Sequence, residues 1–371
     1  MDVDLNEADG QATHVTGLAR AFAELGEDVR LLVAATKTAS SSRLELDAVA
    51  VPNLGRRSFV ETLRQARSFR PEIIYERRFS PKLGATVSLM RRIPYFLEIN
   101  GLPELERTDS GNRGLRRARR IRRLAYRVTK RIFVPTERLA DLLAERLGLP
   151  RSRFCVIPNG ADLNLFARMD KTEARRVLGF PIEQKIVVYV GKLARWQGVE
   201  TLVDSSEKLS HAPGVQVLVV GDGPSRESIA ARITEKHLEA VVRLTGPMPH
   251  DRIPMVLAAA DLCVAPFTRE RNDVVGISPI KLFEYLAAGR PIVASDVEGV
   301  AEVVRDGGIL VAPDSASDLA SAIDGVLRNP DRLMNLERRA ADLAKASSWK
   351  SRARMVLEEV RHPPQSKDPG R

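Results

Sequence analysis

The chain has 371 residues, of which 44% are hydrophobic and 29% charged, and its formal net charge is +10. This length is enough for two domains with separate cores, and the composition excludes disordered, collagen-like and simple repeat proteins. There is no run of about 18 apolar residues and no signal-peptide pattern, so we expect a cytoplasmic protein without a membrane span. Cys155 and Cys263 lie in apolar runs and are interpreted as buried, reduced thiols.

The first predicted element is a helix, HVTGLARAFAELG, and no apolar strand precedes it. A doubly wound domain normally opens with a buried strand, so we expect either a truncated start or a first sheet that lacks one strand. His14 lies at the start of this helix, where it is either a substrate contact or an ordinary helix-end residue. Asp2 and Asp4 lie at the terminus and do not indicate a metal site.

The excess positive charge is concentrated in residues 107–131, which contain eleven basic residues and one acidic residue. Apolar residues recur there at three- or four-residue spacing, which predicts an amphipathic helix with an arginine-covered face. Such a helix can lie on an anionic membrane, bind nucleic-acid phosphates or simply face solvent. Because Tyr126 is its one aromatic residue, single-stranded nucleic acid is disfavoured. The candidate membrane-surface residues are Arg116, Arg117, Arg119, Arg120 and Arg123.

Apolar strand-like runs alternate with amphipathic helical patterns along the whole chain. The runs are VRLLVAA, EIIYE, IPYFLEI, RIFVP, FCVIP, KIVVYVG, VQVLVVG, VVRLTG, DLCVAP and PIVAS. Continuous apolar strands between helices predict parallel sheets covered on both faces, and therefore an α/β protein with two doubly wound domains. We place these domains at residues 1–165 and 166–346, and we expect residues 362–371 to be disordered.

The segment VVGISPIKLFEYLAAGRPIVASD is the most informative one. Ser278 followed by Pro279 predicts a helix start, with the serine hydroxyl as cap and proline at the first helical position. The free N–H groups and the helix dipole can then bind an anion. Gly276 lets a ligand approach the backbone, and Glu284 is within reach of sugar hydroxyls. The alternative interpretation is a capped structural helix without a ligand.

Two other glycine-rich turns follow strands of the same half of the chain. In VVYVGKLARWQGVETLV, Lys192 and Arg195 lie just past a strand, where open α/β sheets bind ligands. The segment VLVVGDGPSRESI repeats this arrangement. Four histidines are expected in loops or on polar helix faces, without metal-ligand spacing: His211, His237, His250 and His362.

The order and spacing of these motifs resemble the retaining glycosyltransferases of the GT-B fold, family 4 (group 1). The resemblance covers nearly the whole chain and is specific in the C-terminal half, in the segments VGKLARWQGVETLV, VVGDGP, RLTGPMPHDRIPMVLAAADLCVAPF, SPIKLFEYLAAGRPIVASD and EVVRDGGILV. It implies two Rossmann-like domains facing a cleft, with the nucleotide-sugar held mainly by the second and the acceptor by the first. It also implies that the last helix, at 347–361, crosses back to the first domain.

By this resemblance, Lys192 occupies the diphosphate-binding arginine position, with Arg195 beside it, and Glu284 occupies the ribose-binding position. Gly10 matches the loop that approaches the sugar phosphate. The other donor-side positions are Thr245, Gly246 and Pro247 for the base, and Gly276, Ile277, Ser278 and Pro279 for the phosphates.

Three positions depart from the family pattern. Gly276 replaces a glutamate eight residues before Glu284, Gln197 replaces a diphosphate-binding lysine, and Asn100 lies near a usual acceptor-side histidine. We interpret these differences as features of a subtype.

The leading hypothesis is sugar transfer with retention from a nucleotide-diphosphate sugar to a lipid-linked or saccharide acceptor, in cell-surface polysaccharide or glycolipid synthesis. Neither a cofactor nor a metal is expected, because cations and helix-end amides stabilise the leaving diphosphate. The arginine helix would hold the protein on the inner face of the membrane. The alternatives are a non-catalytic nucleotide-sugar-binding or membrane-recruited partner of another transferase, an epimerase, and a nucleic-acid-binding protein, for which no specific nucleic acid is expected.

Overall fold

The computed structural model describes residues 10–35, 46–52, 56–78, 83–102, 125–166, 169–209 and 214–362. The chain divides into two compact units: an N-terminal unit of Met1–Pro158 with Lys350–Arg371, and a C-terminal unit of Asn159–Trp349. The observed division therefore lies a few residues before the expected one at 165.

The strands are β1 Arg30–Ala35, β2 Asp47–Pro52, β3 Ile74–Arg77, β4 Tyr95–Glu98, β5 Arg131–Val134, β6 Phe154–Val156, β7 Lys185–Val190, β8 Val215–Val220, β9 Val242–Gly246, β10 Leu262–Ala265, β11 Ile292–Ser295 and β12 Gly308–Val311. The helices are α1 Gly10–Glu24, α2 Arg56–Phe69, α3 Leu83–Arg91, α4 Glu137–Leu147, α5 Leu163–Phe166, α6 Lys171–Leu178, α7 Val199–Leu209, α8 Arg226–Glu235, α9 Ile253–Ala259, α10 Arg269–Val275, α11 Ile280–Ala287, α12 Ala301–Val304, α13 Ala316–Leu327, α14 Pro330–Ala346 and α15 Trp349–Arg361. All ten predicted strand runs form strands, and the prediction of an α/β protein with parallel sheets is confirmed.

The N-terminal unit contains two parallel sheets, β1-β2 and β3-β4-β5-β6. A doubly wound order would place one more strand between β1 and β3, and no strand among the described residues does so. Residues 1–9, where the missing first strand was expected, lie outside the described residues.

Helix α15 supplies part of the core of the N-terminal unit although it follows the whole C-terminal unit in sequence. Its Val356 is buried against Phe96 of β4, Phe133 of β5 and Ile157. Burial on both faces explains why β4 is apolar almost throughout. The helix therefore belongs to the fold of the N-terminal unit.

The C-terminal unit is built on one parallel sheet with the order β12-β11-β10-β7-β8-β9. The chain runs from β7 through β8 to β9 on one side and then from β10 to β12 on the other. The order reverses between β7 and β10, and open α/β sheets bind ligands beyond the carboxyl ends of the strands at such a point.

Both cysteines are free thiols, but they differ in exposure. Cys263, in β10, is fully buried as expected. Cys155, in β6, is only partly buried, and burial raises the pKa of its thiol to about 11. Across the described ranges, no helix is long and apolar enough to cross a membrane.

Candidate functional site

The loops after β7, β8 and β10 meet at the carboxyl edge of the C-terminal sheet. Leu193 N–H donates to the Asp222 carbonyl at 2.8 Å, which joins the first two loops. A Cβ on Gly198 would lie 1.8 Å from the Pro266 carbonyl oxygen, and Gly198 has a φ of 68°. This close approach requires glycine, so Gly198 brings the loops after β7 and β10 together at the reversal of strand order.

Lys192 and Arg195, the two predicted diphosphate-binding cations, are both exposed on the loop after β7. The Tyr189 hydroxyl stabilises this loop by donating to the Lys192 carbonyl at 2.8 Å, and its oxygen also lies 3.2 Å from Gln197 Oε1. In the part of the chain that the structure describes, no carboxylate pairs with either cation. Their charge is therefore available to a ligand.

The predicted capping role of Ser278 is wrong. The Ser278 hydroxyl accepts a hydrogen bond from the Asn159 backbone N–H at 3.1 Å, and its carbonyl accepts one from Asn159 Nδ2 at 2.5 Å. Helix α11 begins after Pro279, at Ile280, and no described side chain caps it. Because the Ser278 hydroxyl is hydrogen-bonded to Asn159, it does not cap α11. The first N–H groups of this helix therefore lack a side-chain partner among the described residues and are suited to binding an anion.

Glu284, the predicted ribose-binding residue, is buried in α11. Its Oε1 lies 2.8 Å from His250 Nε2. Burial lowers the pKa of His250, but the hydrogen bond and negative charge of Glu284 outweigh it, so the pKa is raised overall. His250 was expected in a loop or on a polar helix face, and it begins the short turn His250–Arg252 between β9 and α9, with its side chain 34% exposed. No hydrogen bond to Glu284 Oε2 is made within the described ranges, so this oxygen is suited to accept from hydroxyl groups of a ligand.

Of the predicted base-contacting residues, Thr245 and Gly246 end strand β9, and Pro247 follows it, a few residues before His250. The histidine therefore links this segment to Glu284. Sequence reasoning missed Arg226, whose Nη1 would lie 3.5 Å from a Cβ on Gly246. That nitrogen is buried and makes no hydrogen bond within the described ranges, so it is a further candidate donor to a ligand.

Gly276, which replaces the family's second glutamate, ends helix α10 with a φ of 68°. Its N–H donates to the Asn272 carbonyl at 2.9 Å, and the next residue, Ile277, donates to the Glu298 carbonyl at 2.9 Å. A side chain at position 276 would be strained in this conformation. Glycine is therefore suited to this position.

Among the described residues, three predicted site residues lie in the N-terminal unit. Gly10 is exposed at the first position of α1, and Asn100 follows β4. His14 Nδ1 lies 3.4 Å from Asn100 Nδ2, so the structure brings the two predicted acceptor-side residues together. His14 is only 1% exposed, however, and burial lowers its pKa to about 4.

His14 belongs to a buried cluster around Glu98, which sequence reasoning did not find. Its Nε2 lies 2.7 Å from Glu98 Oε1, Arg352 of α15 donates to the same oxygen at 2.9 Å, and the Tyr75 hydroxyl donates to Oε2 at 2.5 Å. Burial alone would raise the pKa of Glu98, but His14, Arg352 and Arg77 hold it well below the usual range. His14 lies near the start of α1, as expected, and its predicted acceptor-side role stays a prediction, whereas its burial within this cluster was not anticipated.

The candidate membrane-surface arginines lie outside the described residues, as does His211. No group of three or more histidine, cysteine, aspartate or glutamate side chains within the described ranges could hold a metal ion.

Comparison with known proteins identifies both units. Residues 170–343 match the family model of the group 1 glycosyl transferases, and residues 9–160 match that of the glycosyl transferase 4-like domain. A D-inositol 3-phosphate glycosyltransferase from Nocardia farcinica is 34% identical over 239 residues, which are 62% of this chain and 51% of that protein. An alpha-D-kanosaminyltransferase from Streptomyces kanamyceticus is 29% identical over 232 residues, or 60% of this chain and 58% of that protein.

The chain spans about half the length of these curated relatives. Among solved structures, Anabaena Alr3699/HepE in complex with UDP and glucose has a TM-score of 0.73 at 20% identity, with 96% of this chain and 97% of that chain covered. This likeness shows a shared fold. The two family-model matches together span most of the sequence, and the chain belongs to the group 1 glycosyltransferases.

Proposed function

We propose that this protein transfers a sugar from a nucleotide-diphosphate donor to a hydroxyl group of an acceptor, with retention of anomeric configuration. The observation that carries the proposal is the grouping of unpaired cations, an uncapped helix start and a buried glutamate within the C-terminal unit. Lys192 and Arg195 lie on a loop at the reversal of strand order, while Glu284 lies in α11 beside His250. The Anabaena structure described above holds UDP and glucose, which supports this donor class.

The proposed chemistry depends on stabilising the diphosphate as it leaves the sugar. As the bond from the anomeric carbon to the phosphate oxygen breaks, negative charge grows on that oxygen. The acceptor oxygen attacks the same face, and its proton passes to the leaving oxygen. Fixed cations and backbone N–H groups contribute a few kcal/mol each to such a transition state. Lys192, Arg195 and the first N–H groups of α11 are suited to this role, so the proposal includes no metal ion.

Calorimetric titration with UDP, GDP and ADP, each with EDTA and again with Mg²⁺, tests the donor assignment. We expect about micromolar binding of one diphosphate, equally tight under both conditions, because protein cations neutralise the phosphates. A sugar panel with the same base should then show donor turnover. If a folded preparation binds none of the three, the proposed donor site is refuted.

A second candidate function is non-catalytic binding of a nucleotide-sugar as a partner of another transferase. It is favoured by Gly276, which provides no carboxylate where the family usually has one and whose positive φ disfavours a side chain. Donor consumption separates the two functions. A protein that binds the diphosphate tightly but consumes no nucleotide-sugar, with any acceptor offered, would support the binding role.

We further propose that the arginine-rich segment holds the protein on an anionic membrane, where a lipid-linked or saccharide acceptor for cell-surface polysaccharide or glycolipid synthesis would lie. Replacing Arg116, Arg117, Arg119 and Arg120 together by serine is expected to reduce binding to anionic vesicles, since each basic residue near such a surface contributes roughly 1 kcal/mol. Nucleotide affinity should not change. The same four residues replaced by lysine provide the matched control, and vesicle sedimentation provides the measurement. Serine variants that sediment like the unmodified protein would eliminate the membrane role.

A further inference from the structure

Lys281, in the first turn of α11, lies directly beneath the loop that follows β7. Its Nζ donates to Gln197 Oε1 at 2.8 Å and lies 4.0 Å from the centre of the Tyr189 ring. A Cβ on Gly191 would lie 2.5 Å from this nitrogen. The Lys281 side chain therefore packs against Gly191, where there is no room for a Cβ. Its ammonium group lies between the Tyr189 ring and Gln197.

This ammonium group has no anionic partner among the described residues. Its hydrogen-bond acceptor, Gln197, is neutral, and the Phe267 ring centre lies 5.6 Å away. An enclosed charge without a counter-ion is costly, and burial accordingly lowers the pKa of Lys281 to about 7, although nearby Glu284 opposes the shift. A bound anion would supply the missing counter-ion and would stabilise the charged form of Lys281.

The position of the Lys281 ammonium group beside the loop after β7 indicates the class of anion that would bind it. Gln197 ends the short turn that carries Arg195, on the loop whose exposed cations are unpaired. One Nζ proton points to Gln197, and a lysine has two more to donate. The anion that reaches this loop also meets Lys192 and Arg195, so it carries several negative charges.

We propose that Lys281 binds the diphosphate of the donor nucleotide, and that it supplies from helix α11 the positive charge that the glutamine at position 197 does not provide. The inference rests on the proposed function. It adds a residue from a second element to the site, and it explains why the loop tolerates a neutral residue at position 197.

The test compares Lys281→Met with the unmodified protein by calorimetric titration with UDP, GDP and ADP and with the matching nucleosides. Methionine keeps the unbranched side chain out to Cε and suits the aromatic surroundings, and Lys281→Gln is a second variant if the first does not fold. We expect the dissociation constant of the bound diphosphate to rise at least about tenfold, while nucleoside affinity stays unchanged. Lys345→Met, at an exposed position in α14, is the matched control.

A double variant, Gln197→Lys with Lys281→Met, returns a cation to the loop from the other element. We expect it to recover diphosphate affinity to within about threefold of the unmodified protein, since the charge and not the helix position matters. Folding of each variant is checked by its thermal transition.

Each outcome has a distinct meaning. If the unmodified protein binds no diphosphate, the proposed function fails. If it binds one and Lys281→Met binds it equally well, the role of Lys281 is wrong while the proposed function stands. An equal loss of nucleoside and diphosphate affinity, or a double variant as weak as Lys281→Met, would likewise overturn the role of Lys281 in binding phosphate charge.

Discussion

Replacing Glu98 by glutamine is expected to destabilise the N-terminal unit by about 3 to 5 kcal/mol, the usual cost of removing one partner from a buried ion pair. Glutamine keeps the volume of the side chain but removes its charge. Arg352, only 2% exposed, would lose its carboxylate partner, and the Tyr75 hydroxyl would lose a charged acceptor. The loss is measured as the free energy of unfolding in urea at pH 7.

Hydrogen exchange shows whether the loss is local, because faster exchange is expected in peptides from β4 and α15 and not in peptides from the C-terminal sheet. Glu145→Gln is the matched control, since Glu145 lies exposed in α4. Its effect should stay within about 0.5 kcal/mol. If Glu98→Gln were no more destabilising than Glu145→Gln, the charge cluster would not be important for the stability of this unit.

Replacing Glu284 by alanine is expected to weaken binding of the donor diphosphate on the order of 100-fold, since hydrogen bonds to a charged group contribute about 1.5 to 3 kcal/mol. The carboxylate is buried, and its Oε1 already lies against His250. The remaining oxygen is the proposed acceptor for the ribose hydroxyls. Calorimetric titration with the nucleotide that the unmodified protein binds provides the measurement.

A 2′,3′-dideoxy form of the same nucleotide makes this test specific for the ribose. It should bind the unmodified protein and Glu284→Ala with nearly equal, weak affinity, because it has no ribose hydroxyls for the carboxylate to accept. Glu302→Gln, at an exposed position in α12, should leave both affinities unchanged. If the dissociation constant is unchanged in Glu284→Ala, Glu284 does not bind the ribose hydroxyls.

The strands could be predicted from the sequence where they are long and apolar. All ten predicted runs form strands, whereas β2 and β12 were missed. The run DAVAVP opens on an aspartate and is mostly exposed or half-buried, and GILV opens on a glycine directly after RDG. Their apolar runs, AVAV and ILV, are short, and both strands are only partly buried, unlike the fully buried strands β4, β10 and β11.

The parts of the candidate site that sequence reasoning found are local, and the parts that it missed are distant pairings. Lys192 and Arg195 follow a strand directly, which is visible in a short window. The contacts of Glu284 with His250 and of Glu98 with Arg352 join residues 34 and 254 positions apart. The role of Ser278 was misassigned for the same reason, because its partner Asn159 lies 119 residues away. No local pattern carries this information.

The place of helix α15 in the fold has a consequence for biosynthesis. Arg352 and Val356, which complete the interior of the N-terminal unit, leave the ribosome only after every residue of the C-terminal unit. At the elongation rate of about 5 to 20 residues per second, Glu98 stays without its arginine for tens of seconds after its own synthesis. The unit translated first is therefore the last to be finished, and a nascent chain arrested before α15 exposes an incomplete interior to chaperones and proteases.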